Sequence, residues 1–221
     1  MVIQRNKSFS PSRAWLVGLV LGCCAAAAQA APVVEQAPLD GGDSYQTMNT
    51  SGVYWADNFS IGSAIDLQGF AWWGGYAGNL DAGDDAFVVN LFSDISGSGT
   101  LLQSFTATAV RTDTTLFDVG QNAVYAYAMD VAPLVLNAGT YYLSVSNEGS
   151  SDWLWLQSSG GDAGAFSLLD DPSASWTGEP TDLAFSVLGE RQGTPVPEPS
   201  ALSLLGLAGM ALLLARRVQR S

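Results

Sequence analysis

The sequence predicts an all-β protein whose body is a single antiparallel β-sandwich or jelly-roll-like domain. Three observations carry this. Between residues 53 and 188 apolar residues do not recur at the helical spacing of three and four; they alternate at period two, as on a half-buried strand. Clusters of Gly, Asn, Asp and Ser interrupt the alternation at 79–85, 96–99, 137–139 and 160–162, where the chain needs turns. The runs between them make roughly nine or ten short strands, enough for two packed sheets.

The strands follow in order. Residues 53–60 and 64–73 open the series, and the second holds the paired rings of Trp72 and Trp73. Residues 87–92 (Phe-Val-Val-Asn-Leu-Phe) and 101–110 come next, then 124–129 (Val-Tyr-Ala-Tyr-Ala-Met) and 140–145 (Thr-Tyr-Tyr-Leu-Ser-Val). Residues 153–157, 165–169 and 183–187 complete the set. Acids and glycines bound nearly every run, so the sheet edges are expected to be guarded against pairing with other chains. No helix of useful length is expected in the body. A chain of 221 residues allows one domain plus accessory segments, large enough for a core without disulfides.

Charge divides the chain into three parts. The net charge is −13, from 21 acidic and 8 basic residues and no histidine. Residues 1–30 hold Arg5, Lys7 and Arg13 and no acid, while residues 196–221 hold Arg216, Arg217 and Arg220 against Glu198. Residues 31–195 hold 20 acids against Arg111 and Arg191, a net charge of −18. The absence of histidine excludes His-based acyl transfer and imidazole metal ligation. Lys7 is the one lysine and Cys23 and Cys24 are the two cysteines, so the body has no Schiff-base lysine, thiolate, disulfide or cysteine zinc site. Two arginines in an acidic body make no basic patch, so nucleic acid is not an expected partner.

Both ends read as addresses. Residues 1–30 form a secretory signal peptide, with a positive stretch at 1–13, an apolar run at 14–28 and small residues around a cleavage site. Ala28 and Ala30 precede the cut and Ala31 follows it. Sec export and signal peptidase are the partners this implies. A retained anchor and a lipoprotein cut before Cys23 are the alternative readings. At the other end Gly193-Thr194-Pro195-Val196-Pro197-Glu198-Pro199 cannot hold a helix, because its prolines lack donors and bias their neighbours to extended geometry. Ser200 is a plausible N-cap for an uncharged stretch, 201–215, which ends at Arg216 and Arg217. As a helix, 200–215 spans about 24 Å. It crosses a hydrocarbon core of about 30 Å if the arginines snorkel and the bilayer thins. Positive-inside logic then leaves the acidic body on the extracytoplasmic side. The domain reading is therefore 1–30 signal peptide, 31–50 flexible lead-in, 51–189 β-sandwich, 190–199 proline-rich stalk, and 200–221 transmembrane helix with basic tail.

Val196-Pro197-Glu198-Pro199, an apolar helix and Arg216-Arg217 at the extreme C-terminus resemble the PEP-CTERM sorting signal. That family consists of exported proteins of Gram-negative bacteria, many associated with extracellular polysaccharide and biofilm. The resemblance implies that exosortase, an integral-membrane transpeptidase-like enzyme, recognises Pro197, Glu198 and Pro199 and cleaves the tail. A plain single-span anchor on a proline-rich stalk is the simpler alternative. Trp72-Trp73-Gly74-Gly75-Tyr76, Asp84-Asp85-Ala86-Phe87-Val88-Val89, Gly139-Thr140-Tyr141-Tyr142-Leu143 and Trp153-Leu154-Trp155 resemble β-domains found upstream of such tails, and that resemblance implies no activity.

Two sets of body residues are candidate sites. Adjacent Trp72 and Trp73 point to opposite faces of a strand, one toward the core and one nearer solvent, whereas Trp153 and Trp155 share a face opposite Leu154 and Leu156. Exposed, coplanar rings among these four would stack on sugars; otherwise they are core fillers. Asp81, Asp84 and Asp85 crowd one loop and are candidate calcium ligands, although their spacing is not that of an EF-hand and solvated loop acids are the simpler reading. No cofactor is otherwise expected. The function expected is that of an exported surface protein with a structural or binding role in the polysaccharide matrix. A carbohydrate-binding module using exposed Trp, or a glycan-processing enzyme with paired carboxylates across a cleft, are the alternatives.

Overall fold

A computed structural model describes residues 31–47, 52–79, 85–149, 151–169 and 174–193. The signal peptide, Val196 to Pro199, and the tail with Arg216 and Arg217 lie outside the described residues. Among those described, no helix is long and apolar enough to cross a membrane. The chain is all-β. Its strands are β1 (Pro32–Gln36), β2 (Ser44–Gln46), β3 (Val53–Ile61), β4 (Ile65–Tyr76), β5 (Ala86–Asp94), β6 (Thr100–Thr108) and β7 (Val110–Phe117). They continue with β8 (Ala123–Leu136), β9 (Gly139–Asn147), β10 (Trp153–Leu156), β11 (Ala165–Leu169), β12 (Thr177–Glu179) and β13 (Phe185–Arg191). A 3-10 turn at Ala77–Asn79 is the helical structure among the described residues.

The strands form two antiparallel sheets. In the seven-stranded sheet β4 is the spine. β8 runs along one side of it with β7 outside; along the other side lie β13 and then β10, flanked by β1 and β2 respectively. The six-stranded sheet runs β12-β11-β3-β9-β5-β6. The core draws on inward residues of both sheets: Phe70, Trp72, Tyr127, Trp153 and Phe185 from the first, and Phe59, Phe87, Val89, Leu143 and Val145 from the second.

β4 shows how the sequence meets this core. Ile65 and Leu67 point inward, as do Phe70 and Trp72, so the inward set changes from odd to even numbers. A regular strand cannot do this, because its side chains alternate without exception. The register with β13 accordingly moves by one residue, from Gly69↔Leu188 to Leu67↔Gly189, with Gln68 as the extra residue of a bulge.

Three sequence expectations need correction. The flexible lead-in at 31–50 contains β1 and β2, each paired into the seven-stranded sheet, and Val33, Val34 and Tyr45 pack on the core. The sandwich therefore begins before residue 51, and β13 carries it past 189 to Arg191. Thirteen strands replace the nine or ten expected, because the short β1, β2 and β12 and the polar β7 lack a strong alternating pattern. Finally, the guarding of edges is thinnest at β6, whose nine residues carry no charge, proline or glycine, although its register with β5 shifts near Leu101 and Leu102.

Gly74 and Gly75 are required by close approach. A Cβ on Gly74 would sit 2.4 Å from the Leu154 carbonyl oxygen and 2.5 Å from a ring carbon of Trp153; one on Gly75 would sit 2.1 Å from the Ala123 carbonyl oxygen. Backbone on both sides of β4 closes against these two residues, and the Trp153 ring has no room to move. Gly74→Ala is expected to destabilise the fold by about 1–3 kcal/mol, the usual cost of overpacking a core. Urea denaturation checks this, with Gly62→Ala, whose Cβ meets nothing within 4 Å, as the control expected to leave the midpoint unchanged.

Candidate functional site

The tryptophans are placed by strand periodicity. Trp72 faces the core and Trp73 the opposite side of the sheet, where it is half-buried over Val124, Leu156 and Ala184. Trp153 and Trp155 share the core face with Trp72, and all three are fully buried. Trp72 stacks on Tyr127 at 6.0 Å and meets Phe87 edge-on at 5.1 Å; Trp153 meets Phe87 edge-on at 5.0 Å. The Trp155 Nε1–H donates to the Ala184 carbonyl at 2.9 Å. Sugar stacking at Trp72, Trp153 and Trp155 is thus corrected: these rings fill the gap between the sheets and offer no free face. Trp73 alone of the four reaches solvent, and one ring makes no platform.

Asp85 sits where the two sheets meet at one end. Asp81 and Asp84 lie outside the described residues. The Asp85 carboxylate accepts a hydrogen bond from Tyr76 Oη at 2.8 Å through one oxygen and faces Arg111 Nε at 3.4 Å through the other. Asn147 Nδ2 donates to Tyr76 Oη at 3.3 Å, and the Arg111 guanidinium lies 4.8 Å above the Tyr125 ring. Burial, then the hydrogen bond to Asp85, pushes the Tyr76 phenol up, so it stays a donor. Residues from β4, β7, β9 and the start of β5 are thereby fastened together. Just inside, the buried Tyr127 hydroxyl lies beside Tyr76 and the Trp153 indole N–H. Among the described residues no group of three or more His, Cys, Asp or Glu is arranged to hold a metal ion.

A second acidic cluster was not anticipated. Asp57 lies buried in β3, its carboxylate accepting the backbone N–H groups of Asn58 at 2.7 Å and Leu183 at 2.6 Å. Asp182 accepts three backbone N–H groups from the 162–164 turn, from Asp162 at 3.1 Å, Ala163 at 2.9 Å and Gly164 at 3.2 Å. Asp162 accepts from Asn58 Nδ2 at 3.2 Å. Asp57 and Asp182 accept from backbone N–H groups, while Asp162 accepts from the Asn58 side chain. Spread over positions 57, 162 and 182, they carry no spacing signal. Asp57 alone had one, because it shares strand parity with the core residues Phe59 and Ile61.

Burial pushes the Asp57 carboxyl up to about 8; the two backbone N–H groups oppose this, and the charges of Asp182 and Asp162 add to it. The folded value lies above the unfolded value of 3.8, so between those limits the folded chain holds a proton that the unfolded chain has lost. Stability from this group is complete below about pH 4 and falls as pH rises toward 8. Asp57→Asn is expected to reduce the loss of stability between pH 5 and pH 9 by on the order of a few kcal/mol. Denaturation midpoints of both proteins across that range check it. The slope is the readout, because the amide also loses one acceptor at every pH.

Shallow grooves mark the described surface. One, of about 300 Å³, is lined by the hydroxyls of Ser60 and Ser63 and by Arg191; another, of about 410 Å³, lies beside Ser167, Leu169 and Thr177. Neither is lined by a carboxylate, so neither sets two acids across a cleft. No protein-family model matches the chain, and no curated protein matches it. Among solved structures, the chain is similar to one titled "Structure of infectious bursal disease virus Gt strain", at 10% identity over 84% of this chain and 47% of that chain, with a TM-score of 0.20. The chain thus spans about half of that structure's length, and a likeness at this score carries no argument about fold or function.

Proposed function

We propose that this chain is an exported protein whose β-sandwich is sorted to the cell surface by a PEP-CTERM-like tail. There it serves a structural or binding role in the extracellular polysaccharide matrix. One observation carries the reading: Val196-Pro197-Glu198-Pro199, an uncharged stretch and Arg216-Arg217 stand in that order at the end of the chain. On this reading signal peptidase cuts between Ala30 and Ala31 after Sec export. The stiff Pro197–Glu198–Pro199 segment then presents itself to exosortase at the membrane surface, while the helix and arginines fix its depth.

The body suits a tether. The Gly189 N–H donates to the Ala31 carbonyl at 3.1 Å, so the start of the body lies beside its last strand. Arg191 pairs with Ile65 at the opening of β4, and the chain leaves the sandwich there. Tyr76, at the other end of β4, lies roughly 35 Å away at 3.3 Å per residue. A tail that holds the first end at a membrane therefore presents the Tyr76–Asp85 end outward.

Replacing Pro197, Glu198 and Pro199 together by alanine is expected to abolish C-terminal processing in the native host. Intact-mass measurement of the mature protein reads this directly. Wild-type chains ending upstream of residue 200, against mutant chains ending at Ser221, are the expected pair; identical cleavage in both would refute the sorting role.

A further inference from the structure

The sheet edges of this protein are guarded by charge, proline or shortness in every described case but one. β1 carries Pro32 and Glu35. β2 and β12 are three residues each, and β12 contains Gly178 and Glu179. β7 carries Arg111 and Asp113 and loses register with β8 between Asp113 and Phe117. Each of these is a known way to stop an edge from recruiting another strand. β6, Thr-Leu-Leu-Gln-Ser-Phe-Thr-Ala-Thr, carries no charge, proline or glycine; its register with β5 shifts near its start, at Leu101 and Leu102, and from Gln103 to Thr108 the pairing is regular. It is exposed along its length except at Phe105, which anchors it by packing on Phe70 at 5.6 Å, and Leu101 and Leu102 are 52% and 45% exposed. Its ladder among the described strands is with β5, so half of its backbone N–H and C=O groups face away from the sheet.

We propose that β6 is the surface through which two copies of this chain associate, edge to edge and antiparallel about a two-fold axis. The two six-stranded sheets then join into one that is continuous across the pair. Charge selects the occupant. Each copy carries 20 acids against two arginines over residues 31–195, so a second copy approaching another edge brings Glu35, Asp113 or Glu179 into a field of its own sign. β6 against β6 sets no charge against charge; every Thr, Ser and Leu side chain of the strand meets a neutral one. A basic partner would be drawn to the carboxylates elsewhere and gains nothing from a neutral strand. A two-fold pairing uses both β6 edges, so assembly closes at two.

The test is the oligomeric state of the full-length chain in detergent, by light scattering with the detergent mass subtracted. Wild type is expected to form a dimer that dissociates on dilution. Ser104→Lys and Thr106→Lys, which place like charges across the two-fold, are expected to weaken association about tenfold or more. Thr177→Lys, on β12, is expected to leave it unchanged. Far-UV circular dichroism and melting temperature establish that each variant is folded. A wild-type monomer at all concentrations, a dimer that survives both β6 lysines, or open-ended larger species would each overturn the proposal.

Discussion

The structure depends on how closely backbone can approach the C-terminal end of β4. Trp153 is held over Gly74, with the Leu154 carbonyl on the same residue and the Ala123 carbonyl on Gly75. Only because two consecutive residues lack side chains can β8 and β10 both reach the upper half of this strand. Their approach places Tyr127 between Trp72 and Trp153, and Phe87 from the opposite sheet meets all three. The bulge at Gln68 is the complementary device. It lets Ile65 and Leu67 face inward with Phe70 and Trp72, so all of β4 contributes to one core.

A second constraint is the scarcity of cations. With 20 acids and two arginines between residues 31 and 195, carboxylates drawn into the fold cannot rely on ion pairs. Asp85 takes Arg111, while others are satisfied by N–H and O–H donors. Asp57 takes Asn58 and Leu183, Asp182 takes the 162–164 turn, and Asp118 takes the Asn122 N–H at 2.8 Å and the Ser44 hydroxyl at 2.7 Å. Loops therefore fold around carboxylates, and strands from different sheets are stitched by single side chains. Asp57 marks the cost, since burial beside two other acids leaves its ionised form poorly supported. Its oxygens are nonetheless committed to backbone, which makes it a structural fastening rather than a reactive group.

Much of this fold was legible because period-two alternation is a direct image of a two-layer sandwich. β3, β4, β5, β9 and β11 lie where the pattern places them, and the opposite facing of Trp72 and Trp73 follows from adjacency alone. What the pattern misses has physical causes. β1 and β2 are short, and their places come from partners far along the chain, β13 and β10. β7 is polar because it is an edge with little to bury. The Trp72-Trp73 and Trp153-Leu154-Trp155 runs could not be divided between core and ligand surface from sequence, because an indole ring suits both; the depth of the gap between the sheets decides it. The Asp57, Asp162 and Asp182 cluster is a product of topology, assembled from β3 and two later loops.

Removal of the aromatic rings from the surface shifts where function can reside. The body has no lysine, histidine or cysteine, and its described grooves hold hydroxyls and a guanidinium rather than facing acids. What remains is a strongly anionic sandwich of two sheets whose first and last described residues lie at one end. It presents loops at the other end and one neutral edge along its side. Those properties suit the proposed surface role, in which orientation relative to a membrane and contact with like molecules would matter more than a binding cleft. The charge of the body then has a positive use: it keeps neighbouring copies apart over most of their surface, which confines association to the strand that carries no charge.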